Sequence, residues 1–134
     1  MSAQQFIDRV AQWATSREDV LGVALVGSHA RGDARADSDI DFVLVCSDPS
    51  QYLADPAWIS TFGNPQEVSV EDWGRVQSVR VFYRSGPEVE FGITGTAWTE
   101  LPPDPGTAAV IEDGVSILLD RVGLLSRLQK FQRG

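Results

Sequence analysis

Apolar residues recur at Phe6, Ile7, Val10, Trp13 and Ala14, a spacing of three and four that predicts a helix over residues 3–18 with one face against a core. The pattern then changes. Residues 20–26 form a continuous apolar run and 40–45 a second apolar, β-branched run, read as two buried strands. The small, charged stretch 28–38 between them is a loop or a short helix. Three Asp-Pro pairs, Asp48-Pro49, Asp55-Pro56 and Asp104-Pro105, each join an N-capping side chain to a proline suited to the first helical turn. They predict short helices over 49–62, stopping near Gly63, and a helix over 105–113, stopping at Gly114. Strands over 67–73, 76–83 and 88–94, punctuated by Gly74 and by Ser85-Gly86-Pro87, predict an antiparallel meander. A short strand over 115–120 and a closing helix over 122–131, with Leu124, Leu128 and Phe131 on one face, complete the pattern. With no repeat and no dividing linker, residues 1–134 read as one α+β or mixed α/β domain, a single mixed sheet with flanking helices.

Composition narrows the class. At 134 residues and 43% hydrophobic, the chain suits one globular core and excludes disorder and disulfide scaffolds. The single cysteine, Cys46, forms no internal disulfide and no thiolate metal site, which fits a reducing cytoplasm. No apolar run approaches the roughly 18 residues of a membrane span, and the polar start 1–9 lacks a signal-peptide core. Eleven Lys+Arg against nineteen Asp+Glu give a net charge of −8, without the basic footprint that duplex nucleic acid or an anionic membrane requires. Such a chain binds a nucleotide when a divalent cation stands between the two sets of negative charge.

The segment from Gly27 to Asp41 carries the chemistry. Gly27-Ser28 stands at the exit of the first buried strand and Asp39-Ile40-Asp41 at the start of the second. Alternate strand residues share a face, so Asp39 and Asp41 project side by side. Two adjacent carboxylates repel one another unless a cation joins them, and Mg²⁺ favours a pair of carboxylates with phosphate oxygens and water. Gly27 permits close backbone approach, and amides beside the Ser28 hydroxyl suit phosphate, with Arg31 and Arg35 nearby. Together these groups describe a nucleoside triphosphate site.

Gly27-Ser28, ten residues, then Asp39-Ile40-Asp41 resembles the signature of the nucleotidyltransferase superfamily, the polymerase-beta-like fold. Gly27-Ser28-His29-Ala30-Arg31-Gly32-Asp33 with Ser38-Asp39-Ile40-Asp41-Phe42 looks most like its minimal nucleotidyltransferase branch, which is similar to the catalytic domain of aminoglycoside adenylyltransferases. The motif covers residues 21–45, and the order of elements extends the likeness to about Thr94. The resemblance implies two Mg²⁺ ions held by Asp39, Asp41 and a third carboxylate, and transfer of AMP from ATP to an acceptor hydroxyl. Glu90 is the choice for that third ligand and for the general base; Glu88, on the same strand face, is its competitor. The family often carries Asp there.

Asp37-x-Asp39-x-Asp41 resembles the start of a calcium loop, but Phe42 and Asp48 occupy the positions where that loop needs Gly and Glu. Neither a phosphate-loop Gly-Lys-Ser/Thr nor a Gly-x-Gly-x-x-Gly is present. Arg31 and Arg35 have surface ion pairing as their alternative to phosphate contact. Asp33 and Asp37 read as braces of the loop, and His29 as a loop-filling residue with a satisfied ring. Trp13, Trp58, Trp73 and Trp98 read as core or interface aromatics, and Cys46 as an inert buried thiol.

The resemblance leaves the acceptor open. Antibiotic-modifying relatives carry a helical domain that shapes the acceptor pocket, and 134 residues hold none, so the missing wall would come from a second copy, another protein or the acceptor itself. A free-standing enzyme, alone or as a homodimer, would modify a small molecule such as an aminoglycoside. An antitoxin-like protein would adenylylate a tyrosine of a helical HEPN ribonuclease partner. A non-catalytic nucleotide or metal sensor would keep the Asp pair and lack the third ligand. A third carboxylate beyond about 6 Å from the pair would favour that last reading.

Overall fold

A computed structural model describes residues 2–84 and 86–133; Met1, Gly134 and Ser85 of the predicted Ser85-Gly86-Pro87 turn lie outside them. Along the chain run α1 (Ala3–Thr15), β1 (Val20–Val26), α2 (Gly27–Arg31), β2 (Ile40–Cys46), α3 (Ser50–Ala54) and a 3-10 helix (Pro56–Thr61). Then follow β3 (Pro65–Asp72), β4 (Gln77–Tyr83), β5 (Glu88–Thr94), a second 3-10 helix (Thr96–Thr99), α4 (Pro105–Asp113), β6 (Ser116–Asp120) and α5 (Leu124–Arg133). Among the described residues, no helix is long and apolar enough to cross a membrane.

Most predicted elements are found, and the departures have causes visible in the hydrogen bonding. The first helix stops at Thr15 rather than at residue 18. The Thr15 and Ser16 hydroxyls donate back to the Ala11 and Trp13 carbonyls, and the Arg121 guanidinium donates to those of Ala14, Thr15 and Arg17. Those bonds satisfy the last carbonyls of the helix and end it. Asp55 and Asp104 cap their helices as expected, accepting from the Ala57 and Thr107 amides. Asp48 does not: Pro49 holds the cap position of α3, and the Asp48 carboxylate accepts from the Ser50 hydroxyl and the Gln51 amide group instead.

The six strands form one mixed sheet in the order β3-β4-β5-β2-β1-β6. The meander β3-β4-β5 and the pairs β1-β2 and β1-β6 are antiparallel, whereas β2 and β5 run parallel. Strand alternation divides the buried side chains between two faces. On one face Ile40, Phe42 and Leu44 of β2 join Val89, Phe91 and Ile93 of β5 beneath α1, Trp58 and Phe62. On the other, Val43 and Val45 of β2 pack with Trp98, Ile111, Leu125 and Leu128. That second layer covers β6, β1 and the end of β2, and beside it the sheet opens into a cleft.

The first face holds the larger core, an aromatic stack in which the fully buried Phe91 ring lies 5.5 Å from Phe42 and 4.9 Å from Trp58. Phe91→Ala is therefore expected to cost about 3–5 kcal/mol, because the stack is too interlocked to collapse onto the void. Val70→Ala, on the exposed edge strand β3, should stay within about 0.5 kcal/mol. Urea unfolding monitored by tryptophan fluorescence measures both; a Phe91→Ala loss below that of Val70→Ala would contradict this account of the core.

Candidate functional site

Gly27 turns the chain from β1 into α2 with φ +72°, the left-handed region that favours glycine. It cannot be replaced without displacement, since a Cβ built there would overlap the Asp41 carboxylate. The contact follows from register, because Val26 pairs with Asp41 across β1 and β2. On the other side, the parallel pairing of β2 with β5 sets Asp41 opposite Glu90. Asp39 precedes Asp41 by one pleat. One carboxylate oxygen from each of Asp39, Asp41 and Glu90 lies within 4.8 Å of the other two, and all three residues are half-buried.

Three acids this close strain one another's ionisation. Burial, then the charge of Asp39, then that of Glu90, push the Asp41 carboxyl up to about 7, against a smaller opposing pull from Arg80. A divalent cation relieves that cost. The donor set is all carboxylate oxygen, the hard ligand chemistry that suits Mg²⁺.

The acids line a cleft of about 550 Å³ together with the apolar side chains of Val26, Val76, Trp98 and Val110. Trp98, like Trp13 and Trp58, is buried, but Trp73 stands at the cleft 62% exposed, so the core reading fails for that residue. Arg75 fixes the adjoining β3–β4 turn, pairing with Asp104 at 3.3 Å and donating to the Ala97 carbonyl at 3.0 Å.

The other residues singled out from the sequence lie around this centre. Ser28 sits in α2, and its carbonyl accepts from the Gly32 and Asp33 amides to close the helix. Arg31 pairs with Asp33 at 3.2 Å and with Asp113, beyond the cleft, at 2.6 Å. Arg35 lines a separate depression with His29, Asp37, Ser38 and Glu88. Neither arginine lines the cleft. Asp33 braces the loop through Arg31, whereas the satisfied-ring reading of His29 does not hold: its Nε2 is buried with no hydrogen-bond partner among the described residues. Cys46 is buried, with its thiol pushed up to about 12 by desolvation. Glu90, not Glu88, joins the two aspartates.

Sequence reasoning passed over Arg80, whose guanidinium pairs with Glu71, Glu88 and Glu90 at once. A signal was available. Counting outward from the turn after Tyr83 puts Arg80 opposite Glu90 and Phe82 opposite Glu88. For the cleft residues Trp73 and Arg75 no such signal existed, because their placement depends on α4 and on the second 3-10 helix.

Comparison with known proteins bears on the family and the fold. The model of the streptomycin adenylyltransferase family matches residues 1–82. Among solved structures, an aminoglycoside 6-adenyltransferase from Bacillus subtilis is similar over 86% of this chain, with a TM-score of 0.60 and 15% identity. A CCA-adding enzyme in complex with CTP is similar over 95%, with a TM-score of 0.51 and 15% identity. At such identities the likeness is one of fold. The chain spans 40% and 32% of the length of those two proteins. No curated protein sequence matches.

The raised Asp41 carboxyl gives a signed pH dependence. Its folded value of about 7 exceeds the ordinary 3.8, so the metal-free folded state binds the extra proton between them and loses this stability as pH rises through 7. Asp41→Asn removes the charge. Relative to the unsubstituted protein it should melt equally near pH 4 and roughly 3–5 °C higher at pH 8, about 1 kcal/mol after allowing for solvent screening. Thermal unfolding in chelator across that range tests the sign; a variant that melts lower at pH 8 would refute it.

Proposed function

The chain belongs to the streptomycin adenylyltransferase family and is a nucleotidyltransferase; from that premise we propose that it moves AMP from ATP onto an acceptor hydroxyl, with pyrophosphate leaving. The observation that carries this reading is the meeting of Asp39, Asp41 and Glu90 within 4.8 Å beside a nucleotide-sized cleft. The three carboxylates would hold Mg²⁺, two ions during turnover. When bound, the metal neutralises triphosphate oxygens and the charge that develops at phosphorus. Gly27 and Ser28 would present amides and a hydroxyl to the phosphates, Arg35 would approach from the loop, and Arg31 would exchange an aspartate for phosphate. Glu90 is our candidate for the group that takes the acceptor's proton. The apolar lining with Trp98 and the exposed Trp73 would receive the nucleoside and exclude water around it.

A single domain over residues 1–134, working in the cytoplasm without duplex nucleic acid, is the simplest setting for this chemistry. The 4.8 Å grouping lies inside the limit of about 6 Å for a shared cation cluster, which favours catalysis over a sensor lacking its third ligand. For the acceptor, the two readings are a small molecule, with a second copy completing the pocket, and a hydroxyl on a HEPN-type helical partner protein.

Titration calorimetry with each nucleoside triphosphate, with and without Mg²⁺, tests the proposal. ATP binding should require Mg²⁺ and disappear in the Asp39→Ala/Asp41→Ala double variant, while a change in tryptophan fluorescence that is lost in Trp73→Phe reports the same event. Absence of binding at millimolar nucleotide and metal, or binding unaffected by the double substitution, would overturn it.

A further inference from the structure

We propose that Arg80 is the positioning residue of the carboxylate cluster, holding Glu90 beside Asp39 and Asp41 while keeping Glu88 out. The inference rests on the reading of that cluster as a divalent-cation site. Two registers generate the arrangement: β2 and β5 set Asp41 opposite Glu90, and β4 and β5 set Arg80 opposite Glu90. Asp41, Glu90 and Arg80 thus stand in one row across three neighbouring strands, on the face that opens into the cleft.

Glu88 and Glu90 are chemically identical, lie two residues apart on β5 and share a face, so their own sequence does not determine which becomes a ligand. The guanidinium distinguishes them. Its Nη2 donates to Glu90 Oε2 at 3.1 Å, its Nη1 to Glu88 Oε1, and its Nε to Glu71 Oε1 at 3.0 Å. Every nitrogen of the fork has a carboxylate, and the side chain is only 28% exposed, so the fork is fixed. Glu90 so held keeps a carboxylate oxygen within 4.8 Å of oxygens of Asp39 and Asp41, while the Arg80 charge opposes the acids' repulsion at Asp41. Glu88 instead lines the separate depression with His29 and Arg35. A lysine, a point charge without a planar fork, would not hold three acids in divergent directions.

Calorimetric titration of the full chain with Mn²⁺ alone tests the inference, with folding followed by circular dichroism. Arg80→Ala should bind Mn²⁺ about 10–100-fold more weakly, the range typical when a residue orienting a metal ligand is lost, and Arg80→Lys should fall between it and the unsubstituted protein. Glu88→Gln should leave affinity within about twofold in the native background but weaken it further beside Arg80→Ala, where Glu88 is released to compensate for Glu90. Arg80→Ala that folds and binds Mn²⁺ with unchanged affinity would overturn the inference. Should Arg80→Ala not fold, Arg80→Lys with native affinity would do the same. The underlying reading fails separately: if Asp41→Asn and Glu90→Gln leave Mn²⁺ binding intact, the cluster is not the cation site, and the role assigned to Arg80 falls with it.

Discussion

The parallel pairing of β2 with β5 is the constraint on which the rest of the site depends. Those strands are far apart in sequence, and their register sets Ile40 against Val89, Asp41 against Glu90 and Phe42 against Phe91. Asp41 lies between Ile40 and Phe42 as Glu90 lies between Val89 and Phe91, so one register buries the Phe42 and Phe91 rings together and sets Asp41 beside Glu90. A slip of one residue would drive Glu90 toward the aromatic core and push Phe91 into the cleft. The stack of Phe42, Phe91 and Trp58 therefore aligns the carboxylates from the opposite side of the sheet. The packing energy lies on one face; the chemistry lies on the other.

That division also explains how the fold tolerates clustered like charges. Asp41 is caught between desolvation and two neighbouring acids, and it answers by holding its proton to about pH 7. Glu90 has a different remedy, a guanidinium across the next strand pair. Two of the three acids in the cluster thus have their own means of limiting repulsion, a retained proton at Asp41 and an ion pair at Glu90.

How much of this was legible in the sequence depends on the distance over which each interaction acts. Nearly every helix and strand was readable, since periodicity and Asp-Pro capping are local. The motif from Gly27 to Asp41 was readable because its residues act through one turn. Glu90 was identifiable as an acid in a well-patterned strand, but its separation from Glu88 required Arg80, which acts across a hairpin. Trp73 resembled three buried tryptophans because aromatic composition does not reveal that it falls in the turn just past the edge strand β3, where it is exposed. The early end of α1 depends on Arg121, more than a hundred residues away.

Arg31 joins the motif loop to Asp113 at the end of α4, a partner 82 positions further along the chain. The family match ends at residue 82, so this ion pair crosses from the matched part of the chain into the part that follows. The loop that makes the protein recognisable is braced from outside the region by which it is recognised. Divergence in the later segment can consequently retune the loop without altering a single motif letter, and proteins with identical signatures need not share its stiffness.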